Sequence, residues 1–455
     1  MATAMVVGNM IGSGVFLLPA LLATVVLSYG SSALLAWVVT GIGAIVLALV
    51  FATLGRTYPR TGGPYAYARE AFGGFVGFLT AWGYWIAAWV GNAAIATAFV
   101  GYATVVWPEL GLHPMWMALF AVGTIWLLTL VNAAGVKQGG WVQVVTTALK
   151  FIPLALITLI GIFSIDGAHF TPFVAEGNSS FGFFEGITAA IGLTLWAFIG
   201  LESATVPAGE IRDPEKTIPR ATIWGTVVTT LVYIGATVAV MGIIPLGALE
   251  TSNAPFADAA GQLWGGNWAT VVAWIGMIAA FGALNGWILL TARVSLAAAD
   301  DGVFPRVFGR LSQRGTPVAG LVVAAMLVTG LTFMNYSESL VDQFGFAILL
   351  ATLTTVVPYA FAAAAELALF IREPARFTNV RFVRDSVIAV LGFGYAVWAM
   401  YATGPEAISK GFLLLMVGIP VYLWVRWRAS RREGTVVVPD HPAELMPEPA
   451  ETTTV

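Results

Sequence analysis

The stretch that decides the fold is Gly8-Asn9-Met10-Ile11-Gly12-Ser13-Gly14-Val15-Phe16-Leu17-Leu18-Pro19, or GNMIGSGVFLLP. Apolar residues flank it in a run long enough to cross lipid, yet its middle holds glycines and a serine, which are weak helix formers. Two readings are open. Small residues let neighbouring helices pack closely, which fits many of the 50 glycines in this chain. Alternatively the helix comes apart and offers bare N–H and C=O groups to a ligand inside a protected cavity. A second interrupted span decides between them.

Composition identifies the solvent. Of 455 residues, 58% are hydrophobic, 10% are charged and 17 are tryptophan, with a mean hydropathy of +0.85. Such a chain is a polytopic membrane protein with the bilayer as its partner. A formal charge of −3 argues against nucleic acid. The absence of cysteine excludes disulfides, thiolate catalysis and Cys-ligated metals. With only 3 histidines and no phosphate-binding loop, enzyme activity and ATP-driven pumping are disfavoured, and neither cofactor, metal site nor catalytic residue is expected. Residues 1–10 lack a basic n-region, so no cleavable signal is read there. Residues 1–11 barely provide a half-helix, and the true start is expected upstream.

Apolar blocks of ~20 residues predict about twelve spans, at about 1–28, 31–54, 73–105, 115–133, 141–163, 183–208, 220–245, 268–298, 317–335, 341–370, 385–404 and 409–427. Basic residues cluster in alternate connections, at Arg56, Arg60 and Arg69, then Arg212, Lys216 and Arg220, then Arg306, Arg310 and Arg314. The intervening stretches 164–182 and 246–267 hold no Lys or Arg. Both termini are therefore expected in the cytoplasm, with the protein in a plasma or inner membrane. The Pro-rich tail, 428–455, has little to bury and reads as disordered.

The second interruption lies in span six, TLWAFIGLESATVPAGE, where Ile199-Gly200-Leu201-Glu202 sets a carboxyl group and a glycine in an apolar helix. An acid at that depth costs several kcal/mol unless it faces protein or water, so Glu202 is a functional candidate, with a structural acid as the alternative. The two interruptions stand five spans apart. That is the trace of an inverted-repeat secondary transporter, with halves at about 1–163 and 183–370 and two further helices over 385–427. The glycines then let the chain leave helical geometry, so that amides opening the second half-helix hold a carboxylate, with Ser13 as an added donor.

GNMIGSGVFLLPA, RTGGPYAYAREAFG, YWIAAWVGN, LWAFIGLESA, GEIRDPEKTIPRA and AAADDGVFPRVF occur in order along the chain. Together they resemble the amino acid/polyamine/organocation superfamily, most closely its basic amino acid and polyamine antiporters, the arginine/agmatine exchangers above all. The resemblance implies the leucine-transporter-type fold, an all-α bundle of five-plus-five inverted repeats with discontinuous helices one and six and two extra helices. It also implies alternating access, amino acid or amine substrates, coupling to protons, and a homodimer.

Carried over by motif position, Gly12, Ser13 and Gly14 with the Met10 and Ile11 backbone would hold the substrate carboxylate. Ala87, Ala88, Asn92 and Ile95 would line the pocket, with Asn92 bonding the guanidinium end. Trp196 would stack on the cation, a contact worth up to ~2 kcal/mol when desolvated. Ile199, Trp287 and Ala351 complete the lining. Glu202 matches an acid of the intracellular path used for pH sensing, and Tyr84 a tyrosine of the outward path. Plainer roles compete with these: lipid-facing placement for the tryptophans and a helix-to-helix hydrogen bond for Asn92.

The chain also departs from that pattern. Ala88 and Ala351 replace small polar residues, and Arg293 resembles the broader permeases. Lys150, in VVTTALKFIPLAL, resembles the lysine that takes a sodium ion's place in proton-coupled members, or else it snorkels to the cytoplasmic interface. Open substrate choices are arginine/agmatine, another basic amino acid and its amine, and proton-coupled uptake of neutral amino acids. A non-transporting membrane sensor is the other class in view.

Overall fold

A computed structural model describes residues 2–11, 14–59, 62–135, 154–176, 180–205, 211, 213–373 and 379–433. The described residues form helices and connecting turns, with no strand among them. Two short helices open the chain, α1 (Ala2–Met10) and α2 (Gly14–Tyr29). Next come α3 (Ala36–Thr57), α4 (Pro64–Phe72), α5 (Gly74–Val106) and α6 (Pro114–Ala133). The apolar helix α7 (Leu154–Ser164) precedes α8 (Ser180–Trp196) and α9 (Pro214–Ile243). Two short connecting helices, α10 (Leu246–Leu249) and α11 (Pro255–Trp264), lead to α12 (Gly266–Asp300). The series ends with α13 (Val318–Met334), α14 (Leu340–Arg372), α15 (Asn379–Ala402) and α16 (Gly404–Glu433).

Among the described residues, 8 helices are long and apolar enough to cross a membrane, and four shorter apolar helices stand at Val15–Tyr29, Leu154–Ser164, Phe181–Trp196 and Val318–Met334. The shorter ones fall where spans one, five, six and nine were expected. Two of them are short for a local reason, because α2 and α8 each border an interruption.

Local chemistry fixes the corners. Gly73 takes φ +85° between α4 and α5, a left-handed conformation that disfavours any side chain, and its N–H closes α4 on Arg69 O at 2.9 Å. Ser339 caps α14, its Oγ accepting from Asp342 N–H at 3.1 Å. At the other end of the chain, α16 runs to Glu433 and so continues past residue 427, where the sequence reading ended it. The guanidinium groups of Arg428 and Arg431 each lie 4.3 Å over the ring one turn earlier, Trp424 and Trp427, which favours the helical register there.

At the centre stands α5, packed against α12 and α14, while α3 and α1 pack against α9. Exposed large apolar side chains concentrate on the periphery, for example Leu127 and Leu130 of α6, Val387 and Val390 of α15, and Leu413 and Val417 of α16. Those faces suit hydrocarbon and need no protein partner.

Candidate functional site

The central helix α5 serves as a ruler, since each residue advances ~1.5 Å along it. Below its start, α4 is tied to the end of α12. The Tyr65 hydroxyl donates to Asp301 Oδ2 at 2.7 Å, Arg69 pairs with the same oxygen at 3.0 Å, and Arg69 Nη1 donates to the Tyr65 oxygen at 3.1 Å. Burial and the Asp301 carboxylate push the Tyr65 phenol well above its ordinary pKa, so it remains a donor at physiological pH. Two motifs noted separately in the sequence, RTGGPYAYAREAFG and AAADDGVFPRVF, thus form one cluster.

Higher on α5, Tyr84 meets the second interruption. Helix α8 stops at Trp196, and residues 197–205 follow as tight turns. Ala197 N–H bonds Thr194 O at 3.1 Å, Phe198 N–H bonds Leu195 O at 2.9 Å, Ser203 N–H bonds Gly200 O at 3.0 Å and Thr205 N–H bonds Glu202 O at 2.7 Å. These i→i−3 bonds replace the i→i−4 ladder of a continuous helix. Gly200 takes φ +109°, and a Cβ there would stand 3.2 Å from the Asn9 Cβ and 3.4 Å from the Met10 nitrogen. The two interruptions therefore lie directly against each other, with glycine where the backbones meet.

Glu202 is fully buried. Its Oε1 accepts from the Tyr84 hydroxyl, and its Oε2 accepts from the Tyr359 hydroxyl and from Gly200 N–H, the last at 3.1 Å. Three donors around one carboxyl group are what make an acid tolerable at this depth. Tyr84 and Glu202, assigned from the sequence to paths on opposite sides, stand in a single cluster. Tyr359 escaped the sequence reading. The available signal was its place on α14, two helical turns beyond Ala351, which leaves both on one face.

Further along α5, Trp196 and Asn92 mark the next layer. A Cβ on Gly91 would come 2.9 Å from the Trp196 Cη2, so the indole tip rests on the α5 backbone. Tyr84, Ala87, Ala88, Gly91 and Ile95 share that helical face by spacing, and all are buried. Asn92 donates from Nδ2 to the Thr291 hydroxyl at 3.1 Å, and Thr291 donates to Trp287 O at 2.7 Å. The helix-to-helix bond expected as the plainer role of Asn92 is present. Its Oδ1 is nevertheless buried without a hydrogen-bond partner. Ile199 and Ala351 are buried and Trp287 half-buried. Near Ala351, the Thr354 and Thr355 hydroxyls bond back to Ala351 O at 3.2 and 2.8 Å.

At the first interruption, Ile11 N–H closes α1 on Val7 O at 2.8 Å, and Met10 O accepts from the Tyr233 hydroxyl at 2.5 Å. Helix α2 begins at Gly14, and the first N–H groups of a helix lack intrahelical acceptors, a setting that suits an anion. Gly12, Ser13 and Lys150 lie outside the described residues. Near the far end of α5, Tyr102 donates to Phe16 O at 3.0 Å, and Phe256 of α11 packs edge-on against Phe16 with ring centroids 5.5 Å apart. No group of metal-ligating side chains occurs among the described residues.

Several known proteins resemble the chain along nearly its whole length. The chain is 33% identical over 423 residues to the putrescine transporter PotE of Haemophilus influenzae, covering 92% of this chain and 94% of that one. It is 32% identical over 417 residues to PotE of Escherichia coli K12, covering 91% and 92%. A cadaverine/lysine antiporter of Escherichia coli K12 is 34% identical over 429 residues, covering 92% and 93%. These relatives are transporters, not enzymes. Residues 1–423 match the family described as amino acid permease, and the chain belongs to that family of multi-pass membrane proteins.

Proposed function

We propose that the protein exchanges a basic amino acid for its decarboxylated amine across the membrane by alternating access. The observation that carries this reading is the Asn92 amide. Its nitrogen is occupied by Thr291, and its oxygen is left as an unpaired buried acceptor on the helix that supports Trp196. An acceptor of that kind suits an ammonium or guanidinium group, and the Trp196 indole, whose tip rests at the neighbouring Gly91, would supply an aromatic partner for the same cation. The substrate carboxylate would be held by Gly12, Ser13 and Gly14 with the Met10 and Ile11 backbone. Ala87, Ala88, Ile95, Ile199, Trp287 and Ala351 would line the apolar stem. Tyr84, Glu202 and Tyr359 would close one approach and act as a gate. The putrescine transporter and the cadaverine/lysine antiporter among the relatives favour putrescine or the cadaverine/lysine pair, and the arginine/agmatine pair stays among the candidates.

The same reading treats the interrupted segments as spans one and six of twelve, in inverted halves over about 1–163 and 183–370. Two further helices follow, the second running to Glu433, with both termini cytoplasmic, a homodimer, and proton movement linked to Glu202 or Lys150.

Proteoliposomes test it. Labelled lysine, arginine or putrescine should enter only when the lumen holds a second amine or basic amino acid. Uptake into empty vesicles driven by an acidic exterior would replace exchange with proton symport. Asn92→Ala should weaken substrate affinity by about tenfold, the scale of a hydrogen bond to a charged group; unchanged competition binding would remove Asn92 from the pocket.

A further inference from the structure

Tyr233, on α9, is fully buried, and its ring is held by Trp37 at 5.4 Å and edge-on by Phe198 at 5.5 Å between centroids. Its hydroxyl reaches two backbone carbonyls at once, Met10 O at 2.5 Å and Ala197 O at 3.0 Å. Those carbonyls are the exit of α1 and the first residue beyond α8. A helix end leaves carbonyls without intrahelical donors, and at these two buried ends the donor comes from within the protein. One side chain from a third helix therefore serves both helix ends. A phenol has one hydrogen, so the two carbonyls share a single donor, and neither end can withdraw without changing the bond to the other. Helix α9 follows α1 closely elsewhere as well, since a Cβ on Gly225 would come 2.6 Å from the Val6 side chain.

We infer that Tyr233 is a positioning residue of the exchange cycle, whose hydroxyl ties the carbonyl ends of both interrupted helices so that the two breaks open and close as one unit. Its role in exchange rests on the transport reading above, whereas the tie itself is testable without substrate. In this arrangement Tyr233 touches no substrate. It keeps the end of α1 and the turn carrying Ile199 and Glu202 in a common register, which pre-organises the site.

The test compares hydrogen exchange of the full chain in lipid nanodiscs with that of Tyr233→Phe, which keeps the ring and removes the hydroxyl. Peptides spanning Met10–Ile11 and Ala197–Ile199 should both exchange about five- to tenfold faster in the variant, the loss of one hydrogen bond. Amides of α5 should be unchanged, and cadaverine affinity should fall by a similar factor. Faster exchange in one segment alone, or in neither, overturns the tie. Should the variant fail to fold, wild-type protein decides the matter: the two segments should lose protection at a common rate on warming, and separate rates overturn it. If both segments loosen together but the wild type exchanges no amine, the tie stands and the transport reading falls. If amine exchange is present and the segments ignore the substitution, the reverse holds.

Discussion

Helices α5 and α16 are both long, apolar and able to cross a bilayer, yet they sit in opposite surroundings. The α5 span is buried throughout and holds Tyr84, Gly91, Asn92 and Tyr102, each meeting a different partner element. By contrast, α16 leaves most of its span exposed, including Leu413 and Val417. Apolar length does not separate them, since both hold a segment apolar enough to cross a bilayer. Hydrophobicity thus reports that a segment resides in the membrane, while small and polar residues report that it resides inside the protein, because lipid offers no partner for a hydroxyl or amide.

Substitutions on the two helices should separate widely, and the largest effect is expected where α5 meets the second break. Glu202→Leu would strand the Tyr84 and Tyr359 hydroxyls and the Gly200 N–H, at about 1–3 kcal/mol for each unpaired buried group. Exchange should vanish and the thermal midpoint of the purified protein should fall; retained transport would separate this cluster from the function. A smaller loss is expected from Gly91→Val, whose methyl groups would push against the Trp196 tip. Overpacking of about 1–3 kcal/mol is the expected scale, with affinity for a cationic substrate reduced tenfold or more in competition binding. If affinity held while stability fell, Trp196 would be packing alone and would not belong to the pocket. On α16, Leu413→Ala should change stability by about 0.5 kcal/mol or less, as for an exposed site without partners, and should leave exchange rates untouched. A loss matching that of Gly91→Val would show that α16 is covered, and the contrast between the two helices would collapse.

Much of this was legible from the residues. The order of apolar segments, the interruption after Met10 and the one after Trp196 follow from local composition: apolar runs mark spans, and glycine beside polar residues marks where a helix stops. The depth of Glu202 was equally legible, since an acid in an apolar run stands out by itself. What escaped were partners far along the chain. Tyr359 is 157 residues from Glu202, and Tyr233 is 223 residues from Met10. Neither tyrosine breaks a local pattern, because each reads as one more aromatic residue in an apolar helix.

From sequence alone came a membrane protein with two interrupted helices, an acid at depth and motifs of a transporter family, because solvent preference and helix breaking are decided within a few residues. Which helix faces lipid, which tyrosines reach Glu202, and that one hydroxyl serves both helix ends were decided by tertiary structure alone. Hydrogen bonds act over about 3 Å, and only the folded chain brings groups more than a hundred residues apart within that reach.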